Sequence, residues 1–419
     1  MDYAKAIEYT HSLLRFGSRP GLDRIRALLC AIGNPEKKLR AVHVAGTNGK
    51  GSVCAMLSSI CKEAGLKTGL FISPYILDFR ERIQIDGAFI PKQAYAEVCT
   101  RVKEASESLA EELRPTEFEF VTAAALLYFA HENCDIVILE TGLGGRLDST
   151  NVWEQPLVTV ITSISKDHMA VLGDTLSQIA AEKCGILKPG RPLVTTPKQP
   201  VEAMQVIDKM TKNLACPIIM PQIEQAKILS DTLFGSEFIY QGLPIHQPLA
   251  GCFQLENTLL AIEAARLLPA ELGITGHAMA GGIAKVSHPA RFEVICKEPL
   301  IILDGAHNDG GAQALRSSLD RYLPQQRLLG ICGMLRDKEY AKVLARLTPL
   351  FDELITVTPQ NPRALSADAL KGQLAGQVPI ITTAEVDQHL LENAVSRANG
   401  RPIVIFGSLY LAGQIYQYV

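Results

Sequence analysis

Residues 43–53 read HVAGTNGKGSV. The run RAVHVAG that contains its start predicts a short apolar strand at 40–45, and VCAMLSSICKEA at 53–64 predicts an apolar helix. A strand, a glycine-rich loop and a helix in that order make the setting of a phosphate-binding loop. Small residues let backbone N–H groups approach an anion, and the helix adds its positive N-terminal end. The usual spacing places Gly six residues before the Lys and Ser or Thr directly after it. Here Val44 and Gly51 stand at those places. Gly46, Gly49 and Gly51 still supply clearance, and Lys50 supplies a point charge for β- and γ-phosphates. A hydroxyl near Mg²⁺ would come from Ser52 or Thr47. The competing reading is a glycine-rich turn at a helix start, with Lys50 solvated.

Outward from the loop, buried strands alternate with helices. Residues 2–33 read as two helices separated by Arg19-Pro20-Gly21. TGLFI ends a second strand at 72, and SPYILDFRERIQIDG follows as a loop with a hairpin. Helices fit 91–113 and 116–132, CDIVILE is a buried strand ending at Glu140, and LVTVITSIS is another. This alternation predicts a largely parallel sheet. Residues 225–250 look hairpin-like, helical patterns return at 253–267 and 275–285, and SHPARFEV (287–294) reads as a joint. Beyond it, strands near 300–304, 327–332, 353–357, 378–382 and 402–406 alternate with helices in a smaller α/β unit. The predicted domains are 1–288 and 289–419.

The bulk numbers restrict the class. With 419 residues, 47% hydrophobic and 20% charged, the chain has the make of a two- or three-domain globular protein. A net charge of −3 gives no footprint for nucleic acid. The opening MDYAKAIEYTHSLL carries acids and lacks the apolar run of a signal peptide, and no stretch is long and apolar enough for a membrane span. Ten scattered cysteines without a C-x-x-C pair argue against zinc or a disulfide framework and for a cytoplasmic location. With no interface stripe in view, a monomer is expected.

The loop form G-T-N-G-K-G-S resembles that of the Mur ligase superfamily, and its K-G-S resembles the folylpolyglutamate synthases and dihydrofolate synthases within it. Seven further stretches resemble segments of the same family, in the family's order: SPYILDFRERI (73–83), TEFEFVTAAAL (116–126), LETGLGGRLDSTN (139–151), DHMAVLGDTLSQIAAEKCGILKPG (167–190), FQLEN (253–257), PARFE (289–293) and LDGAHN (303–308). The resemblance implies a P-loop ATP-binding domain of the Mur ligase central type with a parallel-rich sheet. It also implies a smaller Rossmann-like C-terminal domain, with the active site between the two.

It also implies roles for particular residues, each beside a plainer one. Glu140 ends a strand at the edge where parallel sheets hold ligands; the family makes such a Glu a Mg²⁺ ligand, and the plain reading is a cap or a salt bridge. Ser73 would add a hydroxyl oxygen, though Ser-Pro is common in turns. By resemblance His168 would bind a second Mg²⁺ with Lys183, carbamylated so that an amine becomes an anionic oxygen ligand; the bland alternatives are a structural His and a solvated Lys near a helix C-terminus. Asn257 and Arg291 resemble ATP contacts, against an exposed amide and an interdomain salt bridge. Asp304 resembles an ATP contact and, with His307, a group near the reacting centre; the alternative for Asp304 or Asn308 is a helix cap. The pterin or folate side would be formed by Arg80, Thr116, Phe118, Glu119, Leu147, Asp148 and Ser149. Phe118 could stack on a flat heterocycle or simply pack in the core.

The implied reaction is ATP-driven amide formation through an acyl phosphate, joining L-glutamate to a folate or pteroate carboxylate. Lys50, Arg291 and two Mg²⁺ ions would neutralise phosphate charge, and domain closure would exclude water. The expectation is an enzyme acting on both dihydropteroate and tetrahydrofolate, with a monofunctional polyglutamylase as the alternative. A peptidoglycan amino acid ligase is a more distant one, because those enzymes usually carry a UDP-sugar domain before the loop and 45 residues precede Gly46 here. A nucleotide-binding regulator that has lost catalysis is the reading from another class.

Overall fold

The computed structural model describes residues 1–17 and 20–419. It contains two compact units: Met1–Ile164 with Leu172–Gln225 and Glu256–Val286, and Ser165–Val171 with Ala226–Leu255 and Ser287–Val419.

The first unit is built on eight strands: β1 (Ala41–Ala45), β2 (Thr68–Phe71), β3 (Ile83–Ile85), β4 (Ala88–Phe89), β5 (Ile136–Glu140), β6 (Val158–Ile161), β7 (Leu193–Thr195) and β8 (Ile218–Ile219). Their order is β4-β3-β2-β5-β1-β6-β7-β8. All neighbours from β2 to β8 pair in parallel, and β3 and β4 close one edge as an antiparallel hairpin. β1, β2, β5 and β6 are buried at every residue, as expected of parallel strands covered on both faces. β1 is central, between β5 and β6, with Val44 opposite both Glu140 and Val160. From β1 the chain moves first to one side of the sheet and later to the other. The carboxyl end of β1 therefore lies at a topological switch point, where open α/β sheets bind ligands.

Helix Lys50–Glu63 leaves that end, buried along most of its length. Helices Tyr3–Ser12, Asp23–Ala31, Lys92–Glu107 and Glu117–His131 share one apolar core with Phe71, Val137 and Leu139. Phe120, Phe129 and Tyr95 are fully buried there, and each such side chain contributes about 1.5–3 kcal/mol by leaving water.

The second unit holds a three-stranded antiparallel sheet, β9 (Ala226–Thr232), β10 (Gly235–Tyr240) and β11 (Leu243–Gln247). It also holds a six-stranded sheet of β12 (Glu293–Lys297), β13 (Leu300–Leu303), β14 (Leu328–Cys332), β15 (Phe351–Thr356), β16 (Ile380–Thr383) and β17 (Ile403–Phe406), ordered β12-β13-β17-β14-β15-β16. Only β12 runs antiparallel to its neighbour. The α/β class and the parallel-rich central sheet match the sequence reading.

Some local expectations change. The helix expected over 91–113 ends at Glu107, where Ser108 turns its hydroxyl back to the Ala105 carbonyl at 2.7 Å, a side-chain bond that competes with helix continuation. A 3₁₀ turn covers Glu111–Leu113. The joint at 287–294 runs into β12 at Glu293. β7 and β8 fall in stretches with no expected strand and are three and two residues long. Of the Arg19-Pro20-Gly21 break, Arg19 lies outside the described residues.

Candidate active site

The glycine-rich loop leaves β1 at Gly46 and enters its helix at Lys50. Gly46 has φ 150°, and a Cβ there would lie 1.8 Å from Thr162 Oγ1; Gly49 has φ 90°, and a Cβ there would lie 2.5 Å from Asn257 Oδ1. Both positions need glycine for backbone conformation and for space. Loop carbonyls are held from outside. Lys183 Nζ, in a side chain only 4% exposed, donates to Gly46 O at 2.7 Å. Thr162 Oγ1 and Ser163 Oγ donate to Asn48 O at 2.8 and 3.1 Å, and Thr47 N donates to Ser163 O at 2.7 Å. No side chain caps the helix at Gly49. Its first amides thus open a positive helix end, the geometry that binds phosphate. Gly51 and Ser52 are buried in its first turn. Lys50, Lys183 and Asn257 therefore all lie at the loop.

Glu140 closes β5 beside it and is 5% exposed. Its Oε2 accepts from Ser73 N at 3.0 Å, and its Oε1 faces Lys50 Nζ at 3.9 Å. Lys50 also donates to Thr47 O at 3.2 Å. The carboxylate of Glu140 and the hydroxyls of Ser73 and Ser52 are hard oxygen donors, the type Mg²⁺ takes alongside substrate phosphates. Unmodified Lys183 is a hydrogen-bond donor and not a ligand. Among the described residues, no three His, Cys, Asp or Glu side chains gather as a metal site.

The expected pterin-side residues fall into three groups. Thr116 caps helix Glu117–His131 and forms a capping box with Glu119. Glu119 Oε2 accepts from Thr116 N, Thr116 Oγ1 and Arg24 Nε at 2.8, 2.9 and 3.1 Å. Phe118 is half-buried against Phe71, with ring centroids 5.8 Å apart, and lies on Gly142. In the loop after Glu140, Asp148 spends both oxygens on its neighbours. Oδ2 accepts from Leu143 N at 2.8 Å, and Oδ1 accepts from Thr150 N and Thr150 Oγ1 at 3.0 and 2.5 Å. Burial raises the Asp148 carboxyl above its ordinary value against these bonds. Thr150 Oγ1 also lies 2.8 Å from His43 Nε2 on β1, and Ser149 Oγ lies 2.9 Å from Thr122 Oγ1. Leu147 is half-buried. Arg80, in the 73–83 loop, is held by Asp78 through Nε at 3.0 Å and Nη2 at 2.6 Å.

The second unit carries the remaining residues. Asp304 follows β13 and is 6% exposed. Its Oδ1 accepts from Ala306 N and its Oδ2 from Phe292 N, each at 2.7 Å. Burial pushes its carboxyl up to about 6, with the nearby Arg291 guanidinium and the two amides opposing. Arg291 donates to Ala290 O at 3.2 Å. His307 Nδ1 pairs with Gly305 O at 2.8 Å; burial, then Lys338, lowers the ring to about 4, so it is neutral near pH 7. Asn308 caps helix Asp309–Tyr322 through Gly311 N, and its Nδ2 donates to Asp167 Oδ2 at 2.8 Å.

His168 stands next to Lys338, which sequence reasoning missed. Lys338 Nζ lies 3.0 Å from Asp167 Oδ1 and 3.1 Å from His168 Nε2. Burial alone would raise Asp167; the Lys338 ammonium, with His168 and His307, holds its carboxyl well below the usual range instead. The signal was present in GMLRDKEY (333–340), which follows the carboxyl end of β14 as LDGAHN follows β13. Arg24, His43 and Thr150 were also missed, and each acts through a residue far away in sequence or inside a motif already singled out.

Comparison with known proteins gives a consistent picture. Residues 44–265 match the Mur ligase middle domain, and residues 290–409 match the glutamate ligase domain of Mur ligases. The chain is 38% identical to the dihydrofolate synthase/folylpolyglutamate synthase of Bacillus subtilis (strain 168), covering 99% of this chain and 98% of that protein. It is 35% identical to the folylpolyglutamate synthase of Lacticaseibacillus casei, covering 100% and 98%. The structure of Mycobacterium tuberculosis folylpolyglutamate synthase complexed with ADP and AMPPCP superimposes with a TM-score of 0.89 at 29% identity, over 99% of this chain and 98% of that one.

Proposed function

Because the chain belongs to the folylpolyglutamate synthase/dihydrofolate synthase family of Mur ligases, we propose that it is an ATP-dependent ligase joining L-glutamate to the carboxylates of both dihydropteroate and tetrahydrofolate. The acceptor carboxylate attacks the γ-phosphorus of ATP, giving an acyl phosphate and ADP. The glutamate amine then attacks the acyl carbon, loses a proton and displaces phosphate. Such phosphoryl transfer is mostly positioning and charge neutralisation.

One observation carries the reading. The loop 46–52 presents an uncapped helix end with Lys50 Nζ 3.9 Å from Glu140, at the carboxyl edge of β1 and β5. In this proposal Gly46, Thr47, Asn48, Gly49, Lys50, Gly51, Ser52 and Asn257 hold ATP, and Arg291 and Asp304 serve it from the C-terminal domain. Glu140, Ser73 and Ser52 would hold Mg²⁺, which when bound neutralises charge on the phosphate oxygens. A second Mg²⁺ role for His168 and carbamylation of Lys183 belong to the same proposal; activity that rises with added bicarbonate would support the latter. Phe118 and Leu147 offer apolar surface to the pterin. The division at 288/289, a monomer and a cytoplasmic location complete it. No helix among the described residues is long and apolar enough to cross a membrane.

The deciding experiment is glutamate-dependent phosphate release from ATP, offering dihydropteroate and tetrahydrofolate separately, with a UDP-MurNAc-peptide as control. Release with both pterins is expected. Release with tetrahydrofolate alone reduces the enzyme to a polyglutamylase. Release with neither, from folded protein that binds ATP, rejects the substrate assignment.

A further inference from the structure

Arg291 stands in a turn whose backbone is forced on both sides. Ala290 before it and Phe292 after it are left-handed, at φ 55° and 52°, a region that non-glycine residues keep only where neighbours enforce it. Asp304 enforces the Phe292 side by accepting its amide at 2.7 Å. The Ala290 side has a separate anchor. Ala290 N donates to Glu293 Oε2 at 2.8 Å and to Tyr416 OH at 2.9 Å. Tyr416 OH in turn donates to the same Glu293 oxygen. Ala290 O is taken as well, by Gly305 N at 3.0 Å and Arg291 Nη1 at 3.2 Å. Ala290 is fully buried, so water does not replace these partners when they are lost.

The triangle of Ala290, Glu293 and Tyr416 joins parts of the second unit that lie 126 residues apart. Tyr416 directly follows helix Leu409–Ile415, and the same helix stands at the head of the arginine. A Cβ on Gly305 would lie 2.8 Å from Arg291 Nη1 and 2.3 Å from Leu409 Cδ2. Guanidinium and helix therefore meet over the space that this glycine leaves. One element holds the backbone turn through Tyr416 and borders its side chain through Leu409. Phe292 is fully buried, with its ring centroid 5.7 Å from that of Tyr322, so it is fixed by packing. A turn loosened at Ala290 shifts the half-buried Arg291 instead.

We propose that Tyr416, acting with Glu293, is a positioning residue that aims the Arg291 guanidinium at the phosphates of ATP. This rests on the reading above in which Arg291 serves ATP. Tyr416 touches no substrate in this proposal. It acts on nucleotide only through the backbone of Ala290, so its effect depends on the presence of the Arg291 side chain.

The test is a double-mutant cycle on the full chain, comparing wild type, Tyr416→Phe, Arg291→Ala and the double variant. The readouts are the dissociation constant of a non-hydrolysable ATP analogue, that of tetrahydrofolate with the analogue saturating, and a thermal melt of each protein. Arg291→Ala should weaken the analogue by about tenfold or more, the scale of one hydrogen bond to a charged group. Tyr416→Phe should weaken it by about three- to tenfold, the scale of one uncharged hydrogen bond, with tetrahydrofolate affinity kept. In the Arg291→Ala background Tyr416→Phe should cost nothing further. Three results overturn the inference: wild-type nucleotide affinity in Tyr416→Phe, the same loss with and without Arg291, or an equal loss for tetrahydrofolate. If Tyr416→Phe fails to fold, Glu293→Ala goes through the same cycle and decides by the same criteria. Wild-type nucleotide affinity in Arg291→Ala rejects Arg291 as an ATP contact and this inference with it, while glutamate-dependent phosphate release still decides the ligase reading.

Discussion

Glu140 and Asp304 carry the same sequence signal, an acid at the carboxyl end of a buried parallel strand, and the fold uses them in opposite ways. Asp304 gives one oxygen to the amide of Ala306 and the other to that of Phe292. Between Phe292 and Ala290, both left-handed at φ 52° and 55°, stands Arg291. Non-glycine residues in that region cost about 1–3 kcal/mol each and persist only where surroundings enforce them. Asp304 is part of that enforcement, so it acts on Arg291 by shaping its turn. Glu140 takes the Ser73 amide on one oxygen and turns the other towards the Lys50 ammonium at 3.9 Å, beyond hydrogen-bond distance. A strand-end acid is an organiser when backbone amides occupy both oxygens. It is a candidate for chemistry when one oxygen faces a cation set apart from it.

The largest effect should come from Lys50→Ala, which removes the cation on the Glu140 side. Glutamate-dependent phosphate release should fall about 10²–10³-fold, the scale of losing one preorganised charge-stabilising donor, and wild-type turnover would refute the loop assignment. Next, Glu140→Gln should lose most activity with its melting temperature nearly kept. Asp304→Asn should instead destabilise by about 2–3 kcal/mol, because one side-chain N–H₂ must then face a buried amide donor. Thermal melts of the two variants, read side by side, would break the comparison if Glu140→Gln proved the less stable.

The pH response sharpens it. The folded-state carboxyl of Asp304 lies near 6, above its ordinary 3.8, so the folded protein holds that proton more tightly than the unfolded chain. Its stabilising contribution is full below the ordinary value and is lost as pH rises through about 6. Denaturant midpoints between those two values should therefore fall less steeply with pH in Asp304→Asn than in wild type. An equal slope in both would mean that the proton on Asp304 is not linked to folding. The smallest effect belongs to Thr150→Val, which removes the hydroxyl shared by Asp148 and His43. It should cost about 1 kcal/mol, and a melt unchanged within error would mean that the loop after Glu140 does not depend on that bond.

Local pattern made much of this legible. AVHVA followed by glycines and an apolar helix marks β1 and its loop without outside help, and IVILE and LIIL mark β5 and β13 through their unbroken apolar runs. The direction of a side chain within a loop leaves no such trace. Arg80 and Arg82 belong to one motif, yet Asp78 grips the first and aromatic rings the second. Lys338 was hidden for another reason: its partner Asp167 is 171 residues away, and only the folded second unit joins them. The second unit also draws in residues 165–171 and 226–255, a return of the chain that no local periodicity encodes. Asp148 and Glu119 show the converse case. The motif singles them out, and their bonds go to their own loop and helix cap.

The carbonyls of the glycine-rich loop have a final consequence. Gly46 O is taken by Lys183, and Asn48 O by Thr162 and Ser163. A trans peptide plane points its N–H away from its C=O, so fixing the Asn48 carbonyl orients the Gly49 amide away from Thr162 and Ser163, while the Thr47 amide is itself spent on Ser163 O. The ordering entropy of the loop is met when the chain folds and not when nucleotide arrives. In hydrogen–deuterium exchange, the Thr47 amide, which donates to Ser163 O, should already exchange slowly in nucleotide-free protein, and the amides that open the helix should slow when an ATP analogue is added. Thr162→Val, which removes one of the bonds to Asn48 O, should speed exchange at Thr47.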